Sequence, residues 1–316
     1  MSTPLHVVLG ASGGIGGALV AELAHRGHRV RAVTRTGHLP AAPPGVEVVA
    51  GRSTDPGALP AAVRDADIVF YAAQPDYTRW VEDFPALNDA VADAAARAGA
   101  TLVVADNLYM YGPHDGPLRE DTPQRASDKK GLLRAEQAAR LLARHDAGEL
   151  RVVLGRASDY YGPGGTSSSY GAQTMLPLLT GSGPVPWIGD LDALHTAHFL
   201  PDLARGLVVL AEHEQALGRA WHLPAAPPIT GRQFLDLAAA GSAYDVDAMD
   251  EAQARALGAH VPIVAELADI AYQWAGPWTS DTTAFTTAFG ALPTTPHEIA
   301  VPRTTTWFRH TLLKEN

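Results

Sequence analysis

Short apolar, β-branched runs recur along the first half of the chain: Leu5 to Leu9, Arg29 to Val33, Val46 to Ala50, Asp67 to Tyr71, Thr101 to Ala105 and Leu150 to Leu154. Alanine-rich stretches with helical spacing lie between them. Ile15, Leu19 and Leu23 recur every four residues and the pattern stops at Gly27, as an amphipathic helix ending on a glycine does. Leu87, Val91 and Ala95 mark another stripe before Gly99, and Asp55 followed by Pro56 reads as an N-cap with proline at the first helical position. Strand, helix, strand repeated in this way predicts an α/β fold: a doubly wound parallel sheet covered by helices on both faces.

From about Arg156 the texture changes to a loop rich in glycine, serine and tyrosine, followed by mixed elements broken at Pro177, Pro184, Pro186 and Pro201. The expected organisation is a Rossmann domain over 1–155, with a return segment near 195–225, and a smaller C-terminal substrate-binding lobe drawn mainly from 156–316. Thr230 with Gln233 and Thr295 with Glu298 have capping-box spacing and predict two late helix starts.

Composition narrows the partner. The formal charge of −10 at pH 7, with no basic run, argues against nucleic acid and anionic membrane and leaves a small-molecule substrate as the expected ligand. No charged leader or bilayer-length apolar stretch precedes Leu5, so a cytoplasmic location is expected. The absence of cysteine excludes disulfides, thiolate metal sites and cysteine nucleophiles.

The turn Gly10-Ala11-Ser12-Gly13-Gly14-Ile15-Gly16 lies where the first strand gives way to the first helix. Glycines there permit a tight turn and a close approach of backbone to a pyrophosphate, whose charge is met by amides at the positive end of the helix. The expected ligand is a nicotinamide dinucleotide, with Gly10, Ser12, Gly13, Gly14, Ile15 and Gly16 as its contacts. At the end of the second strand an acidic residue would receive the ribose hydroxyls, but Thr34 and Arg35 stand there. A guanidinium pairs with a 2′-phosphate, so NADP is the expected cofactor, with NAD as the alternative and a solvated surface arginine as the other reading of Arg35.

With that turn, Phe70-Tyr71-Ala72-Ala73, Tyr111-Gly112 and Arg156 through Tyr161-Gly162-Pro163 follow the fourth, fifth and sixth strands, and His198-Phe199-Leu200-Pro201-Asp202 comes later. Together these segments resemble the NAD-dependent epimerase/dehydratase family, the extended short-chain dehydrogenases. The resemblance implies cofactor contacts at Ala72, Ala73 and Gln74. It also implies a serine or threonine four residues before the tyrosine-glycine pair, and a tyrosine four residues before a lysine. Here Asn107 occupies the first place, and four residues before Lys130 stands Ala126; counting from Lys129 gives Arg125. The usual proton donor is therefore missing.

Hydride delivery to a carbonyl builds alkoxide charge that an acid must neutralise. Tyr109, two residues before Tyr111, is the candidate acid, with an aromatic packed at the sheet's edge as its alternative reading. Lys130 is the expected cofactor ligand and the cation that would lower the phenol's pKa, and Asn107 an orienting hydrogen-bond donor. Tyr111 reads as framework. Gly51-Arg52 replaces the family's glycine and aspartate beside the adenine, and Arg52 joins the cofactor set. Asp159 and Tyr160, after the sixth strand, are candidate substrate contacts.

His195 and His198 with Asp190 and Asp192 lack a convincing metal frame, so no metal is expected. His114 with Asp115 reads as an exposed loop pair, and no serine-histidine-acid arrangement is expected. These residues fit an NADP-dependent oxidoreductase acting on a carbonyl or alcohol of a small polar or natural-product metabolite. A redox-neutral epimerase, dehydratase or isomerase, and a catalytically silent NADP sensor, are the alternatives. The resemblance implies a homodimer through helices near 87–98 and 132–142, with internal packing of their alanine-rich faces as the other reading.

Overall fold

The computed structural model describes residues 3–40, 42–51 and 58–313; Arg52, Asp55 and Pro56 lie outside them. The apolar runs form β1 (Leu5–Leu9), β2 (Arg29–Thr34), β3 (Glu47–Ala50), β4 (Ile68–Tyr71), β5 (Thr101–Asp106) and β6 (Arg151–Arg156). A late strand, Ala220–His222, completes a seven-stranded sheet. Its order from one edge is Ala220–His222, β6, β5, β4, β1, β2, β3, and every neighbouring pair is parallel. The chain reverses its direction of growth between β1 and β4, which opens a crevice at the carboxyl ends of those strands.

Alternation along the strands assigns the helices to faces. Val7, Leu9, Val69, Tyr71, Leu102 and Val104 pack with α2 (Ala58–Ala62), α3 (Trp80–Ala98) and α4 (Lys129–Asp146). Val8, Phe70, Val103 and Val153 point the other way, toward α1 (Gly14–His25) and the later helix over Leu200–Glu212. With both faces covered, the strands are nearly continuous in hydrophobicity, as a parallel sheet requires. The ion pairs Arg140–Asp89 and Arg144–Asp93 join α4 to α3 along their outer surfaces.

A second core, including Tyr161, Tyr170, Trp187, Phe199, Phe234, Trp274 and Phe308, lies under the helices of the C-terminal half. The helix over Gly231–Ala239 starts on the expected Thr230–Gln233 capping box. The second expected box is absent. The helix over His297–Thr311 begins after Pro296, and Thr295 instead bonds the buried carboxylate of Asp202 through its backbone N–H and its hydroxyl. A full box forms at Asp250–Gln253, whose spacing also fits the rule. Among the described residues no helix is long and apolar enough to cross a membrane.

The approach of α1 to β1 depends on Gly16, where a Cβ would lie 2.1 Å from the Gly10 carbonyl oxygen, a backbone atom that cannot yield cheaply. Gly16→Ala should therefore lower unfolding stability by about 1–3 kcal/mol, the ordinary cost of overpacking. Urea titration against the parent protein measures this, and an unchanged midpoint would contradict the packing described.

Candidate functional site

The turn after β1 is built to keep side chains out. Gly10 has φ +83°, and a Cβ there would lie 2.7 Å from the Ala73 backbone. Gly13 donates its N–H to the Gly10 carbonyl at 3.0 Å, and as the N-cap of α1 it offers no side chain to the first-turn amides. Those donors are thus left for an anion. Ser12 and Gly13 are exposed, Gly14 and Ile15 half-buried. Ala72 and Ala73 wall the turn from β4, Ala72 by donating to Leu9 O at 3.1 Å, while Gln74 is exposed beyond them. At the end of β2, Thr34 is 3% exposed and its hydroxyl has no partner among the described residues. Arg35 next to it is exposed and makes no ion pair with a described residue. An open backbone cradle, uncapped amides, a spare hydroxyl and a cation in this order fit a dinucleotide.

Across the crevice, the strand ends carry a buried charge network. Asp106, the last residue of β5, accepts from Arg134 of α4 on one oxygen and from Arg156 of β6 on the other at 3.0 Å. Burial alone would raise this carboxyl's pKa; Arg134 and Arg156 outweigh it and hold it below the usual range. Arg156 also donates to the Tyr111 hydroxyl at 2.8 Å, and that hydroxyl lies 2.8 Å from His222 Nε2 on the last strand. Burial first and Arg156 second push His222 down to about 4, so it is neutral at pH 7. Tyr111, fully buried, is framework in this network.

Lys130 enters from the first turn of α4 and is 1% exposed. Its ammonium pairs with Glu266 of the short helix over Pro262–Ala268 and lies 4.3 Å from the centre of the Tyr77 ring. Lys129 reaches the same carboxylate from outside at 2.9 Å. Burial favours the neutral Glu266, but its bonds to Lys130 and Lys129 prevail and lower its pKa. Tyr77 donates to the Tyr109 hydroxyl at 3.4 Å, and Asn107 Oδ1 accepts from the Tyr109 backbone N–H at 3.2 Å, leaving the Asn107 NH₂ as the donor it can offer.

The expectation that Lys130 lowers the Tyr109 pKa is corrected. Burial, with Asp159 next, holds that phenol above its ordinary range, and the lysine's charge is compensated by Glu266 instead. The register around Lys130 also differs from the one expected. Ala126 precedes α4 and its N–H is tied to Met110 O, whereas the next buried cation along the helix is Arg134. Lys130 and Arg134 thus repeat the four-residue spacing of the family's tyrosine and lysine. That spacing is visible in the sequence and is the signal that finds Arg134. Tyr77, Asp106 and Glu266 carry no such signal, because only packing brings them to Lys130 and Arg134.

Asp159 lies in the loop after β6 and Tyr160 opens the two-residue strand Tyr160–Tyr161, which pairs with His198–Phe199; both are half-buried. Tyr160 is pushed up to about 12 by burial and by Asp159. Asp159 Oδ2 lies 3.1 Å from His195 Nε2, and Ser158 Oγ lies 3.1 Å from the same nitrogen. A serine, a histidine and an acid do therefore meet, contrary to expectation. Both contacts use one nitrogen, so the imidazole cannot relay a proton from the serine to the acid. His195 stacks on Trp274 at 3.9 Å, and His198 Nε2 bonds Leu223 O at 3.0 Å. Among the described residues no group of three or more His, Asp or Glu gathers at metal-binding range. His114 bonds the backbone carbonyl of Asp115 rather than its carboxylate.

Asp106→Asn should cost about 3–5 kcal/mol, because it leaves two buried guanidiniums without a counter-charge. The sign with pH follows from the depressed native pKa. In the parent protein the stabilisation is present above the unfolded carboxyl pKa of about 3.9 and is lost as pH falls from there toward the native value. Denaturation series between pH 7 and pH 3 on both proteins check this; a gap between them that does not narrow at low pH would refute it.

Comparison with known proteins agrees with this geometry. The model of the NAD-dependent epimerase/dehydratase family matches residues 6–223. A 3-diazoavenalumate denitrifying reductase from a Streptomyces species is 30% identical over 245 residues, 72% of this chain and 78% of that protein. The y4nL protein of Sinorhizobium fredii is 25% identical over 75% of this chain and 72% of its own length. Among solved structures, the dTDP-glucose 4,6-dehydratase DesIV of Streptomyces venezuelae, crystallised with NAD, superposes with a TM-score of 0.78 at 18% identity, covering 97% of each chain. A UDP-glucuronic acid 4-epimerase from Bacillus cereus in complex with NAD gives 0.77 at 15% identity over 97% of this chain and 99% of that one. Glycine cradle, sheet order and family match coincide over most of the length: the chain belongs to the NAD-dependent epimerase/dehydratase family.

Proposed function

We propose that the protein is an NADPH-preferring oxidoreductase that reduces the carbonyl group of a small molecule. The observation that carries this reading is the side-chain cluster at the carboxyl edge of the sheet. The Tyr109 hydroxyl accepts from Tyr77, whose ring lies under the Lys130 ammonium, and desolvation raises the pKa of both phenols. Such a set suits the reductive direction, in which the substrate oxygen gains negative charge and needs a proton.

In this reading Gly10, Ser12, Gly13, Gly14, Ile15 and Gly16 hold the pyrophosphate, Ala72, Ala73 and Gln74 flank it, and Thr34 and Arg35 receive the adenosine ribose and its 2′-phosphate. When bound, the reduced nicotinamide supplies a hydride. Tyr109 donates its proton to the substrate oxygen and Asn107 orients that oxygen through its NH₂, while Lys130, paired with Glu266, holds its place over Tyr77. Asp159 and Tyr160 contact the substrate from the segment after β6. The 3-diazoavenalumate denitrifying reductase, by its name a reductase, supports the direction of the chemistry.

Tyr109→Phe should lower carbonyl-dependent NADPH oxidation by about 10²–10⁴-fold while the Kd for NADPH, read by its fluorescence, stays unchanged. Turnover at the parent rate would remove Tyr109 from this role, and product formation with no net loss of NADPH absorbance would point to redox-neutral chemistry. For the cofactor, Arg35→Ala should weaken NADPH about tenfold, the loss of one charge-assisted hydrogen bond, and leave NADH binding alone. Tighter binding of NADH than NADPH by the parent protein would overturn the preference.

A further inference from the structure

The C-terminal half contains a pocket lined by Trp187, Ile188, Met249, Val264, Ile270 and Trp274, with Gln173 exposed at its rim. The two indoles meet edge to face, 5.3 Å apart at 83°, and are 5% and 7% exposed.

What the pocket lacks is equally informative. Among the described residues no charged side chain lines it. The neighbouring cations are committed to carboxylates: Arg232 to Asp192, Arg255 to Glu251 and Asp269, and Lys129 to Glu266 and Asp269. A nucleoside diphosphate placed here would be desolvated without a counter-charge, a large penalty. A neutral planar ring would lose only unfavourable contact with water.

The pocket also adjoins the reactive edge. Trp274 stacks on His195 at 3.9 Å with the rings 5° from parallel, and His195 touches Asp159. The helix over Pro262–Ala268 contributes Val264 to the pocket while its Glu266 holds Lys130. One short helix therefore borders both the ring-sized pocket and the buried ammonium.

We propose that this pocket binds the aromatic ring of a neutral substrate and that it excludes nucleotide sugars. The assignment rests on the oxidoreductase reading above for its link to chemistry, but binding tests it separately. Isothermal titration of the full chain with 1-indanone, a neutral planar ketone, should give saturable binding at one site that a tenfold excess of UDP-glucose does not displace. Gln173→Trp, a change at an exposed rim position, should weaken indanone at least tenfold with an unchanged melting temperature.

Displacement by UDP-glucose, no indanone binding, or undiminished binding in Gln173→Trp would each overturn the proposal. NADPH fluorescence on the same variant should stay at the parent Kd. If the parent protein fails to bind NADPH while indanone binding and its loss in the variant persist, the pocket assignment stands and the oxidoreductase reading falls.

Discussion

The carboxylate of Asp106, held between Arg134 and Arg156 at the end of the sheet, is the interaction on which the site depends. All three groups are buried, so the network cannot be loosened piecemeal without stranding a charge. It ties β5, β6 and α4 to one point, and Tyr111 with His222 extends the tie to the last strand. Because Arg134 is fixed in this way, the turn of α4 that precedes it, with Lys130, is fixed too.

Lys130 forms the second buried pair, and it crosses from the sheet's carboxyl edge to the C-terminal half through Glu266. The two pairs divide the labour of the edge. Asp106 and its arginines set the framework, while the buried Lys130 and the half-buried Tyr77 and Tyr109 form a cluster beside it. Burial works differently on each type of group. It pushes the phenols toward the protonated form and His222 and His198 toward the neutral form, and is overcome only where an opposite charge lies within bonding distance.

Much of the cradle was legible because it is local. The turn at Gly10 to Gly16 needs residues without Cβ at fixed offsets, and its place between strand and helix is set by the apolar runs on either side. The chemistry around Lys130 was less legible. Its partners Tyr77 and Glu266 are distant in sequence and have no characteristic spacing, and the choice between Ala126 and Arg134 as its counterpart turns on where α4 begins. Thr295 shows the same limit at a helix end: a capping pattern gave way to a stronger claim by the buried Asp202.

By itself, the sequence determined the doubly wound sheet and the glycine cradle, since each follows from periodicity or local backbone geometry. Tertiary structure alone decided which charges became buried partners, that desolvation raises rather than lowers the Tyr109 pKa, that Ser158 and Asp159 converge on one nitrogen of His195, and that Trp187 and Trp274 line a pocket with no charged side chain among the described residues. The reason is physical. Pairing and pKa depend on distance and desolvation between groups far apart in the chain, and these quantities exist only once the core has closed around them.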